Sequence, residues 1–181
     1  VVRITDAKPL AAIEKDLSGR RDRAGVLVEA SAHTRAFIQD SDLVVASPGV
    51  RKDALPLQWA REKDIPVMGE IEFAWRFCTK PVIAVTGSNG KTTTVNLIAE
   101  VLRAGGKNAC LCGNVGTPFA QHVLNADIDY FVVEISSFQL ELCTTLRPRI
   151  AVLTNFSQNH LDRHPDMQDY FEAKKRLFMN Q

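Results

Sequence analysis

Residues 82–106 read VIAVTGSNGKTTTVNLIAEVLRAGG, and the fold of the chain is decided there. The first four are apolar and rich in β-branched side chains, as a buried strand requires. Gly87 and Gly90 follow, then Lys91 and three threonines. Glycine lets the backbone approach a ligand closely and adopt left-handed dihedrals. Successive N–H groups in such a loop, backed by a helix N-terminus, hold anions. Lys91 adds a point charge for phosphate, and Thr92 a hydroxyl for Mg²⁺. Val95, Ile98, Val101 and Leu102 are the expected apolar stripe of the helix that follows, and Gly105-Gly106 its stop. Gly87, Ser88, Asn89, Gly90, Lys91, Thr92 and Thr93 are therefore candidate nucleotide-phosphate ligands. The loop is compressed: the common P-loop has a Gly six residues before its Lys, and here that position is Val85, inside the strand.

Composition bounds the alternatives. The chain has 181 residues, 45% hydrophobic and 24% charged, with a formal net charge of +1. These are ordinary globular proportions. Charge so close to zero argues against a dedicated nucleic-acid binder. No apolar run approaches the roughly 18 residues of a membrane helix. The opening VVRITDAKP has no secretory pattern. A cytoplasmic location with no membrane partner is expected. Cys78, Cys110, Cys112 and Cys143 form no CxxC pair and lie in or beside apolar sequence, so reduced buried thiols are expected.

Strands alternate with helices on both sides of the loop. VVRIT, GVLVEA, DLVVASPG and IPVMG read as strands, with a helix over ALPLQWAREKD between the last two. In EIEFAWRFCTKP, Ile71, Trp75 and Cys78 can share a helical face that Lys80-Pro81 ends. Beyond the loop, NACLCG, YFVVEIS and RIAVLTN read as strands. DMQDYFEAKKRLFMN reads as a helix burying Tyr170, Ala173, Leu177 and Phe178. The expected fold is α/β: a Rossmann-like parallel-sheet part over residues 1–79, then a P-loop-type α/β ATPase domain over 80–181. Both read as incomplete, so a piece of a longer protein is expected.

Four further places can carry chemistry. Glu134 closes an otherwise apolar strand. Such a carboxylate points into the crevice at the carboxyl end of the sheet, where ligands bind, or is salt-bridged at an edge. It is a candidate metal ligand facing the phosphate loop. His160, Asp162 and His164 follow the next strand as H-x-D-x-H. That pattern suits metal ligation, and equally a polar helix start. GNVGTPF, from Gly113, and the Ser47-Pro48-Gly49 turn suit backbone approaching a ligand, or an ordinary turn. Lys174 and Lys175 read by composition as a solvated basic face, and nothing in the pattern singles out either.

TGSNGKTT, GNVGTP, EISSFQLE, LTNFSQNHLDRH and YFEAKKRLF, in that order and spacing, resemble the Mur ligases, and SSFQLE with GNVGTP resembles their D-glutamate-adding branch. The resemblance runs along the whole chain and is weaker in the first part, where LVVASPGV matches best. It implies an ATP- and Mg²⁺-dependent amide ligase of peptidoglycan synthesis, here without the C-terminal amino-acid-binding domain and expected to be inactive alone. The carboxylate of UDP-N-acetylmuramoyl-L-alanine would become an acyl phosphate, which the amine of D-glutamate attacks. Lys91 would bind phosphate. Thr92 and Glu134 would hold one Mg²⁺, and Glu134 with His160 a second. Lys174, rather than Lys175, matches a lysine carbamylated in the family, an oxygen donor suited to a hard metal. Lys91, Glu134, His160 and Lys174 form the implied catalytic set. Asp6, Lys8, Ser47, Gly49, Asn114 and Ser136 would lie on the UDP-substrate side. The family has an acidic residue where this chain has Asn159, so the imidazole is oriented either by the Asn159 amide oxygen, more weakly than by a carboxylate, or by another group. A monomer is implied. The readings set against this are another Mur or folylpolyglutamate ligase, and a P-loop kinase or NTPase.

Overall fold

The computed structural model describes residues 1–18, 24–158 and 163–181. The chain forms two compact units, Val1–Val44 with Lys52–Val67, and Val45–Arg51 with Met68–Gln181.

In the first unit, β1 (Val2–Asp6) and β2 (Val26–Ala30) pair in parallel, with Val2 opposite Val26 and Asp6 opposite Ala30. A parallel pair needs a crossover, and α1 (Leu10–Leu17) supplies it, burying Ile13. α2 (Arg35–Gln39) starts at Thr34, whose hydroxyl accepts from Phe37 N. β3 (Val44–Ala46) pairs with β4 (Val67–Gly69), and only Val44 and Val67 of these strands belong to the first unit. Between them α3 (Leu55–Arg61) carries Pro in its first turn and buries Leu57 and Ala60.

The second unit is built on a four-stranded parallel sheet. β5 (Val82–Thr86), β6 (Ala109–Gly113), β7 (Tyr130–Glu134) and β8 (Ile150–Leu153) lie in the order β6-β7-β5-β8. Both faces are covered, so the inner strands are apolar throughout. Val82, Ala84, Phe131 and Val133 face a cluster with Ile71, Ala74, Phe119, Leu140 and Leu177. Val85 and Val132 face the opposite way, against Val95 and Ala99 of α5 (Lys91–Ala104). The alternation is the two-residue period of a strand.

Several sequence expectations are corrected here. Val101 is not in the α5 stripe and is 64% exposed. It lies six positions after Val95, about 240° round the helix, while Val95, Ile98, Ala99 and Leu102 face the sheet. α4 (Glu70–Trp75) ends before Cys78. Phe77 N and Cys78 N bond to Ala74 O and Trp75 O, three residues back, and these tight bonds close the helix ahead of Pro81. α8 (Met167–Lys175) passes into a 3₁₀ turn, Arg176–Phe178. The tighter winding carries Phe178 off the buried face, and it is 37% exposed. Lys174 is no surface lysine: it is 2% exposed, on the stripe made by Tyr170, Ala173 and Leu177.

The remaining elements are two short helices, α6 (Phe119–His122) and α7 (Ser137–Leu140). Ser136 caps α7 in a full capping box with Gln139. Glu72 ties α4 to the chain after α7. Fully buried, it accepts from the amides and hydroxyls of Thr144 and Thr145 at 2.6–3.1 Å. Among the described residues no helix is long and apolar enough to cross a membrane.

Candidate nucleotide and metal site

Register places the strand ends together. Val85 and Gly113 both lie opposite Glu134, and Thr86 lies opposite Leu153. The crevice at the carboxyl ends of the strands is thus bounded by the loop after β5, the loop after β6 and the end of β7, the usual ligand position in such sheets.

The loop after β5 is held from behind by the chain that follows β8. Ser88 N donates to Asn155 O at 3.1 Å, and Asn89 N to Asn155 Oδ1 at 3.0 Å. Thr154 Oγ1 donates to Asn89 O at 2.7 Å. Ser88 Oγ donates to Ser157 O at 2.9 Å and lies 3.1 Å from the Tyr170 hydroxyl. Gly87 has φ +146°, and a Cβ there would collide with Thr154 Oγ1. Gly90 has φ +79° and opens α5. The glycines therefore answer to two demands: close approach to Thr154 at Gly87, and a left-handed turn into the helix at Gly90.

Lys91 Nζ folds onto its own loop, donating to Gly87 O and Ser88 O at 3.0 Å each. Lys174 reaches the same loop from α8, donating to Gly87 O at 2.8 Å, its ammonium 4.6 Å from the centre of the Tyr170 ring. Burial, and then the positive charge of Lys91, pull Lys174 down to about 8. Two ammonium groups thus converge on the Gly87 carbonyl, an arrangement that favours an anion or a neutral Lys174.

Glu134 is 2% exposed at the end of β7. Thr92 Oγ1 donates to its Oε2 at 2.7 Å, and Asn114 Nδ2 to its Oε1 at 2.7 Å. Asn114 is placed by its own backbone, whose N–H donates to Glu134 O at 2.8 Å. This tight junction needs glycine beside it, because a Cβ on Gly113 would strike the same carbonyl. Among the described residues no cation pairs with this carboxylate. A buried carboxylate held by neutral donors alone favours a cation. A threonine hydroxyl and a carboxylate are the hard oxygen donors Mg²⁺ takes, usually beside nucleotide phosphates. The donor set fits the metal.

The other expected residues are dispersed. Thr93 is exposed on the first turn of α5. Ser47 lines a cavity of about 290 Å³ with Glu70, Gly113, Pro118 and Gln139, so the two turns read as ligand-approaching share one space. Ser136 is occupied at the α7 cap, its hydroxyl donating to Gln139 Oε1 at 3.0 Å. Asp6 and Lys8 belong to the first unit, where Asp6 Oδ1 accepts from Lys8 N and Lys8 Nζ pairs with Asp16 at 3.2 Å. His160, with Asn159 and Asp162, lies outside the described residues. A larger cleft of about 500 Å³ lies at the opposite end of the sheet, beside Val82 and Arg149, and holds none of these groups.

His164 is buried with both ring nitrogens engaged: Nδ1 lies 2.7 Å from Asp169 Oδ2 and Nε2 2.9 Å from Ser137 Oγ. Glu141 Oε1 is 3.6 Å from Nδ1. The ring pins the N-terminal end of α8 to α7. Sequence reading missed this role, the loop-bracing set Thr154, Asn155, Ser157 and Tyr170, and the buried Glu72.

Residues 85–181 match the Mur ligase middle domain. The UDP-N-acetylmuramoylalanine--D-glutamate ligase of Koribacter versatilis (strain Ellin345) is 45% identical over 183 residues, which cover 99% of this chain and 40% of that protein. The enzyme of the same name from Nitratidesulfovibrio vulgaris (strain DP4) is 50% identical over 157 residues, covering 86% and 36%. Among solved structures, the UDP-N-acetylmuramate:L-alanyl-gamma-D-glutamyl-meso-diaminopimelate ligase from Neisseria meningitides superposes with TM-score 0.58 at 21% identity, covering 97% of this chain and 59% of that one. That likeness concerns the fold. The chain spans about 40% of the length of the first of these curated relatives.

Proposed function

The chain belongs to the Mur ligase family, whose middle domain its residues 85–181 match, and from that premise we propose that it is the substrate- and ATP-binding part of an ATP-dependent ligase joining D-glutamate to UDP-N-acetylmuramoyl-L-alanine. Residues 1–79 correspond in this reading to part of the UDP-substrate domain, and 80–181 to part of the central ATP-binding domain. The enzyme is cytoplasmic and monomeric. The observation that carries the reading is the buried Glu134 carboxylate, held by Thr92 of the phosphate loop on one oxygen and Asn114 of the GNVGTP loop on the other.

Mg²⁺ bound there would neutralise phosphate charge during transfer. Thr92 and Glu134 are its ligands in this reading, with His160 contributing to a second ion. The chain's own residues do the rest. With Ser88 N and Asn89 N engaged by Asn155, the N–H groups of Gly90 to Thr93 at the N-terminus of α5 hold the phosphates of ATP, and Lys91 turns from its loop carbonyls to the γ-phosphate. Asn114 keeps Glu134 aimed at the crevice. The cavity between the Ser47 turn and Gly113 takes the UDP-linked substrate, whose carboxylate attacks the γ-phosphate to give an acyl phosphate. The D-glutamate amine then attacks the carbonyl carbon and phosphate leaves. Positioning and charge neutralisation supply most of the rate.

Lys174 enters as a carbamate. At a pKa of about 8, part of the amine is neutral near pH 7. The neutral amine adds CO₂ and releases one proton, turning an ammonium into an oxygen donor. The test is phosphate release by the complete gene product. Release that requires both UDP-N-acetylmuramoyl-L-alanine and D-glutamate supports the ligase, and release with ATP alone supports an NTPase.

A further inference from the structure

We propose that Arg163 is a positioning residue for the UDP-linked substrate, an inference that rests on the ligase reading above and adds to it a residue outside the implied site. Arg163 follows the loop after β8, yet its guanidinium is spent on a distant turn. Nη1 donates to Gly49 O at 3.2 Å, and Nη2 to Val50 O at 3.0 Å and to Pro48 O at 3.5 Å. The guanidinium lies 4.4 Å from the centre of the Phe138 ring on α7. Three successive carbonyls on one planar fork is recognition that an ammonium cannot copy.

The turn itself is closed by Val50 N donating to Ser47 O at 3.0 Å. A trans peptide sets each carbonyl antiparallel to the next N–H. Gathering the Pro48 carbonyl onto Arg163 therefore turns the Gly49 N–H away from it. The turn begins at Ser47, which faces the cavity shared with Gly113 and Gln139. Pro48 offers no N–H, and Gly49 has no Cβ to obstruct a ligand. A guanidinium on the carbonyl side thus fixes the turn in the form that offers an amide donor to an anionic, diphosphate-bearing substrate.

The other end of Arg163 is equally fixed. Its neighbour His164 is buried and clamped between Ser137 and Asp169. The side chain therefore joins the contact between α7 and α8 to the turn expected to hold the substrate. α8 also carries Tyr170 and Lys174, which touch the phosphate loop, and transfer needs turn and loop in register.

The experiment compares wild type, Arg163→Met and Arg163→Lys in the complete gene product. It measures equilibrium binding of UDP-N-acetylmuramoyl-L-alanine, equilibrium binding of ATP, and the two KM values. Arg163→Met is expected to weaken binding of the UDP-linked substrate, and raise its KM, by about tenfold or more, the scale of losing charged hydrogen bonds. ATP affinity stays within about twofold, and Arg163→Lys recovers only part of the loss. Unchanged affinity for the UDP-linked substrate in Arg163→Met overturns the proposal while leaving the ligase reading intact. Equal losses for both ligands, with a lowered Tm, overturn it in favour of a general structural role. A wild type that binds no UDP-linked substrate overturns the ligase reading and this inference with it.

Discussion

Thr92 Oγ1 lies 2.7 Å from Glu134 Oε2, so the first turn of α5 and the carboxyl end of β7 share a hydrogen bond between residues 42 apart in sequence. The bond joins the phosphate loop to the buried carboxylate, the two groups proposed above to hold one metal ion. Glu134→Gln keeps the shape and removes the charge. It is expected to abolish the Mg²⁺-dependent part of ATP binding, a loss of at least about tenfold for a disturbed metal shell. Metal-free nucleotide binding, which depends on Lys91 and the loop amides, is retained. Titration of a fluorescent ATP analogue with and without Mg²⁺ measures both, and an unchanged metal dependence in Glu134→Gln contradicts the assignment.

Gly87→Ala places a Cβ against Thr154 Oγ1 at a φ of +146°. Strain of this kind costs about 2–3 kcal/mol. Thr154→Ala removes the obstructing atom and also loses the bond to Asn89 O. The double variant is therefore expected to be more stable than the sum of the two singles. Thermal unfolding of the four proteins gives the coupling, and strict additivity contradicts the contact.

Lys174 carries a pH signature. Its folded value of about 8 lies below the ordinary 10.5. Between those values the unfolded chain holds the extra proton, so stability rises with pH across the window. The penalty for the buried ammonium is full below pH 8 and is relieved by pH 10.5. In bicarbonate-free buffer, wild type is expected to gain Tm relative to Lys174→Met from pH 7.5 to 10. Parallel curves contradict a buried, depressed amine.

Glu72 gives the opposite sign. Burial raises its pKa, but the hydrogen bonds from Thr145 and Thr144 outweigh this and leave it below the ordinary 4.5. Its contribution is present above the unfolded value and lost as pH falls through the folded one. Glu72→Gln is expected to cost about 2 kcal/mol near neutral pH, because a strong acceptor of four donors becomes a weak one. The gap to wild type narrows in acid. A gap constant from pH 7 to pH 3, followed by thermal unfolding, contradicts the role.

Much of this was legible in the residues. The strand, loop and helix around Lys91 follow from apolar run, paired glycines and stripe, all local signals. Glu134 stood out because a carboxylate ending an apolar strand needs a reason. Lys174 was hidden by composition, which reads FEAKKR as solvated. Periodicity held the clue, since 170, 173, 174 and 177 are one helical face. Ser136 carried a legible capping box, S-x-x-Q, and the structural role is the one observed, while the resemblance implies a substrate one. Val101 failed because the stripe was drawn one position too wide. The bracing of Ser88 by Tyr170 and the reach of Arg163 to Pro48, Gly49 and Val50 join residues far apart in sequence, and no local pattern encodes such pairs.

The central claim is that the γ-phosphate passes to a carboxylate. It is tested by turnover of the complete gene product with UDP-N-acetylmuramoyl-L-alanine carrying ¹⁸O in the alanine carboxylate. The amine displaces one carboxylate oxygen together with the phosphoryl group, so the released phosphate is expected to carry one ¹⁸O. Phosphate free of ¹⁸O, with its new oxygen from water, contradicts the account.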